Sequence, residues 1–172
     1  MVLRYNCIYI SYSIFFGRHM AILETALMCL AFNIYHEARS QSTIGQLAVA
    51  QVVMNRVDDD RFPDTVCDVV TEAVTYKGTN KPVLHKCQFS WYCDGQKDDV
   101  RKDSKEWSSA LQNAIIVLHG KISLDLTEGA THYHATYVRP SWAKTKTRTT
   151  RIDKHIFYRW EKKHDKNTKK RW

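Results

Sequence analysis

The sequence predicts an α+β fold that is mostly helical, formed by a single domain with a small β-hairpin or sheet. Its 172 residues suit one domain with its own core. Apolar residues repeat at helical spacing in four stretches before residue 120, and the strand-like runs come after them. The hydrophobic share of 44% and the aromatic share of 12% are those of a globular protein and argue against a mostly disordered chain.

The first predicted helix starts near Ile22 and has one buried stripe. Its apolar residues follow the i, i+3, i+4, i+7 spacing of such a stripe: Ile22, Leu23, Ala26, Leu27, Leu30, Ala31 and Ile34. Glu37 is therefore expected at the end of a helix that packs in the core.

A second helix is predicted to run to about Val57, because the break over residues 40–42 offers an N-cap before Ile44 and Leu47. We expect the first two helices to form a hairpin. Acidic residues 58–60 and the Phe62-Pro63 pair end the second helix. The apolar residues Val66, Val69, Val70, Ala73 and Val74 predict a shorter third helix.

The segment 77–102 contains Gly78, Pro82 and Gly95 without sustained periodicity, and it predicts a long ordered loop. Ser104 is the expected cap of a fourth helix that ends at Gly120. Beyond it, the runs 131–134 and 154–158 are short and rich in aromatic or β-branched residues, which favours strands.

Both ends of the chain are expected to lie outside this domain, which we place at residues 20–160. Residues 1–19 are apolar with basic Arg4 and Arg18, too short to span a bilayer as a helix and without an A-x-A-like cleavage site. They are a weak export signal, an added arm, or an extension upstream of a start at Met20. Residues 161–172 are a basic C-terminal tail without apolar periodicity, as in a solvated end.

The formal charge of +8 predicts a surface that attracts polyanions. Nucleic acid, anionic lipid and the acidic polymers of a bacterial envelope all fit this charge. Charge therefore indicates a class of partner and no reaction.

The five cysteines are too few for a disulfide scaffold, and their odd number leaves at least one without a partner in the chain. Cys29 lies on the first predicted helix and is expected to be a thiol in the core. Three others lie near turns and can supply one disulfide in an oxidising compartment: Cys67, Cys87 and Cys93. A zinc site that combines these with His85 is a weaker alternative, since no CxxC pair occurs.

Glu37 is the first candidate for chemistry. A carboxylate at a helix end, partly buried and facing a cleft, has a raised pKa that suits a general acid. The pair His36-Glu37 invites comparison with the zinc-protease motif HExxH, but the second histidine of that motif is replaced by Ser40. We therefore expect no metal and no cofactor.

His132 and His134 lie two residues apart on a predicted strand, which places them on one face and Tyr133 on the other. They either bind substrate or belong to a half-exposed strand.

Taken together and in order, several segments resemble the SleB/CwlJ-type cell-wall hydrolases over roughly residues 26–160. They are Asn33-Ile34-Tyr35-His36-Glu37-Ala38-Arg39, residues 45–57 (GQLAVAQVVMNRV), residues 61–66 (RFPDTV), residues 87–91 (CQFSW), residues 129–135 (GATHYHA) and residues 155–158 (HIFY).

The resemblance implies a lysozyme-like, lytic-transglycosylase type of domain that degrades peptidoglycan. It maps the catalytic acid onto Glu37. In the implied groove, Gln88, Ser90, His132 and Tyr133 hold sugar hydroxyl and acetamido groups. Phe89, Trp91, His134 and Trp142 complete the substrate-binding set, in which the aromatic rings stack on sugars or support the groove wall.

The sequence departs from the spore enzymes of this family. Residues 132–134 replace a tyrosine-rich segment, and no separate peptidoglycan-binding repeat precedes the domain. These departures favour a phage or Gram-negative endolysin-like protein that acts in the cell wall or periplasm, after export or release by a phage lysis system. We expect a monomer that acts on glycan strands and contacts anionic envelope polymers or lipids electrostatically.

Two kinds of alternative stay open. Within enzymes, a hydrolytic muramidase or glucosaminidase, or a wall amidase, would use the same cleft. From another class, a basic nucleic-acid-binding domain would explain the charge and the aromatic content, but it leaves the ordered set of segments unexplained.

Overall fold

The computed structural model describes residues 25–120 and 122–162. The predicted arm at residues 1–19, the start at Met20 and most of the predicted tail lie outside these residues. The described chain contains helices and two small antiparallel sheets, so the α+β prediction is confirmed.

Four α-helices provide the frame. Helix α1 covers residues 25–38, α2 is Thr43–Val57, α3 is Val66–Val70 and α4 is Lys105–Leu118. Side-chain oxygens cap three of them: Ser42 accepts from the amide of Gly45, Thr65 from Asp68 and Ser104 from Trp107. These caps satisfy amide groups that have no partner within the helix.

The helices share one apolar core, in which α2 is central. Ala50 and Val53 of α2 pack with the other helices, whereas Ala48 and Val52 pack against the second sheet. The fully or nearly buried members of the helical cluster include Leu30, Ile34, Val69, Val70, Trp107, Ala110 and Ala114. The two-sided burial of α2 fixes the distance between α1 and the sheet, and so fixes the site between them.

The first sheet is a hairpin of β1 (Ala73–Thr75) and β2 (Pro82–Cys87), followed by a 3-10 turn, Ser90–Cys93. The second sheet has the strand order β3-β5-β4, with β3 at His132–Ala135, β4 at Thr147–Ile152 and β5 at His155–Arg159. All pairs are antiparallel, and Tyr133 lies opposite Phe157.

Most predicted elements are confirmed, and two predictions are wrong. The third helix stops at Val70, and Ala73 and Val74 belong to β1 instead. The segment 77–102 is not a loop throughout, because β2 and the 3-10 turn lie within it. Strand β4 was not predicted, since five of the six residues in its sequence TRTTRI are polar and it forms an edge of the sheet.

The expectation that Cys29 is a core thiol is also wrong. Cys29 forms a disulfide with Cys67, which joins α1 to α3, and Cys87 forms a second disulfide with Cys93. A buried cysteine on an apolar stripe has the same sequence pattern whether its sulfur is free or bonded to a distant partner. The zinc alternative is excluded, because the sulfurs of Cys67, Cys87 and Cys93 are all in disulfide bonds.

Asn55 and Arg56, at the end of α2, hold the chain that leads into β3. The Asn55 amide donates to the Asp125 carboxylate, the Thr127 hydroxyl and the Ala130 carbonyl. The Arg56 Nε donates to the carbonyl oxygen of Thr131 at 2.7 Å. These bonds fix the start of β3 relative to α2.

Across residues 25–120 and 122–162, none of the helices combines the length and the apolar character that a membrane crossing requires.

Candidate active site

Glu37 lies in the last turn of α1, partly exposed, and faces β3. The hydroxyl of Tyr133 donates a hydrogen bond to Glu37 Oε2 at 3.1 Å. The neighbouring residue Ala38 is buried, which fixes the end of the helix. The carboxylate is therefore held at the contact between the helical core and the second sheet.

Arg56 is a buried cation close to this carboxylate. Its side chain is only 4% exposed, and its guanidinium lies 5.2 Å from the ring centroid of Phe62 and 5.1 Å from that of Phe89. The Nη1 atom is buried without a hydrogen-bond partner in the described chain. A charge buried in this way usually needs a partner, because desolvation is costly.

Glu72 supplies a second carboxylate in the field of Arg56. It lies just before β1, where its backbone carbonyl accepts a bond from the amide of Gln88 at 2.9 Å. Its Oε2 is also buried without a hydrogen-bond partner among the described residues. Arg56 is thus influenced by the charges of both Glu72 and Glu37.

These surroundings set the protonation of Glu37. Burial raises the pKa of its carboxyl group, and the hydrogen bond from Tyr133 and the charge of Arg56 partly oppose that rise. Burial, reinforced by the Glu37 charge, raises the pKa of Tyr133 well above its usual value, so its hydroxyl stays a donor. Burial lowers the pKa of Arg56, against the charges of Tyr133, Glu72 and Glu37.

The structure brings three of the predicted site residues close to Glu37. Tyr133 bonds to it directly, and the Phe89 ring packs beneath Tyr133 at a centroid distance of 6.5 Å. Phe89 is only 3% exposed, so it supports the site and offers no open face. Trp91 donates from Nε1 to Asn33 Oδ1 at 3.0 Å, one helical turn before Glu37.

Three other predicted residues lie on the opposite face of the sheet from Tyr133. The ring of Trp142 lies 5.4 Å from that of His132 and 5.7 Å from that of His134. Burial, followed by the charges of Arg56, Lys146 and Arg61, lowers the pKa of His132 to about 3. Gln88 and Ser90 are exposed on either side of the buried Phe89.

The other groups near the end of α1 form a polar wall. The His36 ring stacks on Trp91 at 4.8 Å, and burial lowers the pKa of this histidine. Arg39 is exposed and lies over the Tyr35 ring at 5.1 Å. A cavity of about 400 Å³ opens beside them, and Glu37 is not among the residues that line it. In the part of the chain that the structure describes, no cluster of His, Cys, Asp or Glu is placed to hold a metal ion.

Arg56 and Glu72 were not among the site residues predicted from the sequence. The burial of Arg56 could have been predicted from the sequence, because Arg56 follows Val49 and Val52 at spacings of seven and four on the buried stripe of α2. A charged residue on such a stripe indicates a buried functional or structural ion. Glu72 carried no comparable signal, since its position depends on the β1–β2 hairpin.

Two solved structures that share this fold are catalytic domains of SleB proteins. The catalytic domain of the Bacillus cereus SleB protein superposes with a TM-score of 0.57 and 26% identity, over 79% of this chain and 91% of that one. The catalytic domain of the germination-specific lytic transglycosylase SleB from Bacillus anthracis gives 0.55 and 26%, over 78% and 93%.

Sequence comparison agrees with the structural comparison. The chain belongs to the Cell Wall Hydrolase family, whose profile matches residues 40–158 and so begins just after Glu37. A spore cortex-lytic enzyme of Halalkalibacterium halodurans is 30% identical over 135 residues, which are 78% of this chain and 34% of that protein. One from Bacillus cereus is 29% identical over 78% of this chain and 44% of that protein. The chain spans less than half the length of these curated relatives.

Proposed function

We propose that this protein cleaves the MurNAc–GlcNAc β-1,4 bond of peptidoglycan as a lytic transglycosylase, with Glu37 as its catalytic acid. The observation that carries this proposal is the environment of Glu37, a partly exposed carboxyl group whose pKa is raised by burial and which accepts a bond from Tyr133. A carboxyl group with a raised pKa keeps its proton to higher pH and can donate it to a leaving oxygen. Membership of the Cell Wall Hydrolase family supports the choice of substrate.

The reaction needs two proton transfers at the same carboxyl group. Glu37 first protonates the glycosidic oxygen, and the bond from that oxygen to the muramoyl C1 breaks. The Glu37 carboxylate then takes the proton of the muramoyl 6-hydroxyl as this oxygen bonds to C1, which gives a 1,6-anhydro end. No second carboxylate has to act as nucleophile, unlike in a two-carboxylate glycosidase.

Tyr133 and Arg56 stabilise the carboxylate that exists between these transfers. Burial alone makes the charged form of Glu37 unfavourable, which would slow its release of a proton. The Tyr133 hydrogen bond and the Arg56 charge favour the charged form. Glu72 counters the charge of Arg56, so that Glu37 is not held permanently ionised.

Substrate contacts are proposed for the side chains around this centre. Exposed Gln88 and Ser90 hold polar groups of the sugars, and Trp91 forms part of the groove wall next to α1. His132, His134 and Trp142 lie across the sheet from Tyr133 and belong to a more distant part of the surface. The proposed place of action is the bacterial wall or periplasm, which the protein reaches by export or by release through a phage lysis system.

The second candidate is a hydrolase that uses the same acid. Glu72 favours it, because this partly buried carboxylate acts on Arg56 together with Glu37 and is a candidate base for a water molecule. The names of the curated relatives refer to spore cortex, whereas this chain covers only part of each of those proteins. Peptidoglycan in general is therefore the proposed substrate.

Mass spectrometry of the soluble products released from purified peptidoglycan tests the proposal. Wild-type protein is expected to release anhydromuropeptides and Glu37→Gln to release none, while Glu106→Gln, the same change on α4, stays active. Reducing-end products that disappear in Glu37→Gln would make the protein a hydrolase with the same acid. Equal release by wild type and Glu37→Gln would overturn the role of Glu37.

A further inference from the structure

The face of the second sheet that lies away from Tyr133 has a distinct composition. Residues directly opposite each other in an antiparallel pair share a face. His132 pairs with Tyr158, and Tyr158 pairs with Arg148 on its other side. His134 pairs with Ile156, and Ile156 pairs with Arg151. We call this the outer face, formed by His132, His134, Arg148, Arg151, Ile156 and Tyr158.

An irregularity in β4 places both arginines on this face. Residues three apart on a regular strand point to opposite sides. Between Arg148 and Arg151, however, the register shifts, so that three residues of β4 advance against two of β5. Such a bulge redirects side chains. Both arginines are exposed, at the open edge of the sheet.

The surrounding segment is basic and lacks ion pairs. Residues 139–154 contain six basic side chains, namely Arg139, Lys144, Lys146, Arg148, Arg151 and Lys154. The described chain has ion pairs only at Arg61, Arg159 and Lys162, so none of these six is neutralised by a carboxylate. The one acidic residue of the segment, Asp153, accepts from the amide and hydroxyl of Ser42 at the start of α2.

Lys146 adds to this positive surface beside two tryptophan rings. Its Nζ lies 4.5 Å from the ring centroid of Trp160 and 5.9 Å from that of Trp142. Burial and the charges of Arg61 and Arg56 lower the pKa of Lys146. Among the described residues, no carboxylate forms an ion pair with Lys146.

The outer face lies across the second sheet from Glu37, so a branch of a substrate bound at Glu37 has to extend around the sheet to contact it. Tyr133, which bonds to Glu37, lies between His132 and His134 on β3. Neighbouring strands are about 4.8 Å apart, so β4 lies about 10 Å from β3 across the sheet. Peptidoglycan carries at its muramoyl sugars short peptides with free carboxylates, which project sideways from the glycan. A glycan seated at Glu37 would hold such peptides close to the edge strand.

We propose that the outer face, through Arg148 and Arg151, binds the carboxylates of peptidoglycan stem peptides and so holds the strand during cleavage. This inference rests on the proposed function, because the peptide is brought to the face by the glycan. The guanidinium group is suited to carboxylates, which it binds with two parallel hydrogen bonds. Because the stem peptide is covalently attached to the glycan, its contact with the arginines becomes intramolecular once the glycan is bound at Glu37. Even weak ion pairs then add to the overall affinity.

The test measures binding without cleavage. Glu37→Gln protein is incubated with insoluble sacculi that either keep their stem peptides or have lost them to an amidase, and the bound fraction is measured by sedimentation. Arg148→Gln/Arg151→Gln is compared, in the same background, with Lys102→Gln/Lys105→Gln, which removes equal charge at the start of α4. Near-ultraviolet circular dichroism checks that each variant is folded.

The arginine variant is expected to bind peptide-bearing sacculi roughly tenfold more weakly at low salt, as for a pair of exposed ion pairs. The lysine variant should bind like its parent, and the difference should shrink at high salt or on stripped sacculi. Equal losses in both variants, or equal arginine effects on both kinds of sacculi, would overturn the proposal. So would an arginine effect confined to vesicles of phosphatidylglycerol, which would identify a lipid partner.

Failure of this inference can be distinguished from failure of the proposed function. Binding is measured with the Glu37→Gln protein, whereas bond cleavage is measured by product analysis of the otherwise unchanged chain. If binding depended on the arginines but no muropeptides were released, the protein would bind the wall without cleaving it. If anhydromuropeptides were released but binding did not depend on the arginines, the proposed enzyme activity would hold and the proposed peptide-binding site would be refuted.

Discussion

The hydroxyl of Tyr133 lies 3.1 Å from Glu37 Oε2, a hydrogen bond that connects residues 96 positions apart in the sequence. It joins the last turn of α1 to β3, an edge strand of the second sheet. The same hydroxyl is kept protonated by burial, which raises the pKa of Tyr133. The carboxylate form of Glu37 therefore has a permanent donor, which a solvent-exposed helix end would not provide.

Removal of this donor in Tyr133→Phe is expected to slow the reaction by roughly 10- to 100-fold, the usual worth of a hydrogen bond to a charged group. The bond lowers the pKa of Glu37, so its loss should raise that pKa further. Activity that depends on the protonated acid should then persist to higher pH. The measurement is the rate of muropeptide release as a function of pH.

Tyr158→Phe provides the matched control. It removes the same atom from the adjacent strand, where the Tyr158 hydroxyl bonds to His134 Nε2 at 3.1 Å and not to Glu37. We expect the position of its pH profile to be unchanged. A basic limb that moves to lower pH in Tyr133→Phe would contradict the role given to this hydroxyl.

Glu72→Gln should have the opposite effect on the pH profile. The Glu72 charge opposes that of Arg56, and the Arg56 charge lowers the pKa of Glu37. Neutral glutamine leaves the Arg56 charge less compensated, so the pKa of Glu37 should fall and the basic limb should move to lower pH. The backbone bond from Gln88 to the carbonyl of residue 72 does not depend on this side chain and should persist.

Glu106→Gln, on α4, controls for a change of net charge. If Glu72 is instead the base of a hydrolase, Glu72→Gln would abolish the release of reducing-end products without a shift of the remaining profile. An unchanged rate and an unchanged profile would show that Glu72 has no electrostatic influence on the reaction.

Helix positions were predictable because they depend on local signals. The stripe from Ala26 to Ile34 and the caps at Ser42 and Ser104 lie within their own elements, and the structure confirms them. The position of Glu37 at the end of α1 followed from the same stripe. Strand pairing was less predictable, since β4 has the exposed polar composition of an edge and depends on β5 for its bonds.

The environment of Glu37 depends on contacts that periodicity does not encode. The alternation of His132, Tyr133 and His134 correctly predicted which of them share a face, but not that Tyr133 reaches α1. The pairing of Cys29 with Cys67 requires α1 and α3 to be adjacent, which is a property of the tertiary fold. The same applies to Glu72, which is brought near Arg56 by the β1–β2 hairpin.

His132 is expected to make the protein less stable as the pH falls. Burial and nearby cations lower its pKa to about 3 in the folded chain, compared with about 6.5 when unfolded. Between these values the unfolded chain binds a proton that the folded chain does not, so stability decreases from about pH 6.5 down to about pH 3. His132→Gln should reduce this dependence in urea unfolding measured from neutral pH to about pH 4.

Other titratable groups also contribute to the pH dependence of stability. Burial also lowers the pKa of His36 and of His155, so the variant should retain part of the decrease. Asp59, whose pKa is held at about 2 by hydrogen bonds from Arg61, loses its stabilising effect only in a more acidic range. Identical pH dependence in wild type and His132→Gln above about pH 4 would contradict the neutral state of the half-buried His132.

The two disulfides should contribute unequally to stability. Cys29 and Cys67 close a loop with a sequence separation of 38, and Cys87 and Cys93 close one with a separation of 6. Loop-closure entropy predicts about 4 kcal/mol for the longer loop and about 2 kcal/mol for the shorter one. Cys29→Ala/Cys67→Ala should therefore lower the free energy of unfolding more than Cys87→Ala/Cys93→Ala, as measured by guanidinium unfolding without reductant. Dithiothreitol should remove the difference in unfolding free energy between wild type and each variant. If Cys87→Ala/Cys93→Ala instead lost more unfolding free energy than Cys29→Ala/Cys67→Ala, the short disulfide would stabilise the native hairpin and not act by restricting the unfolded chain.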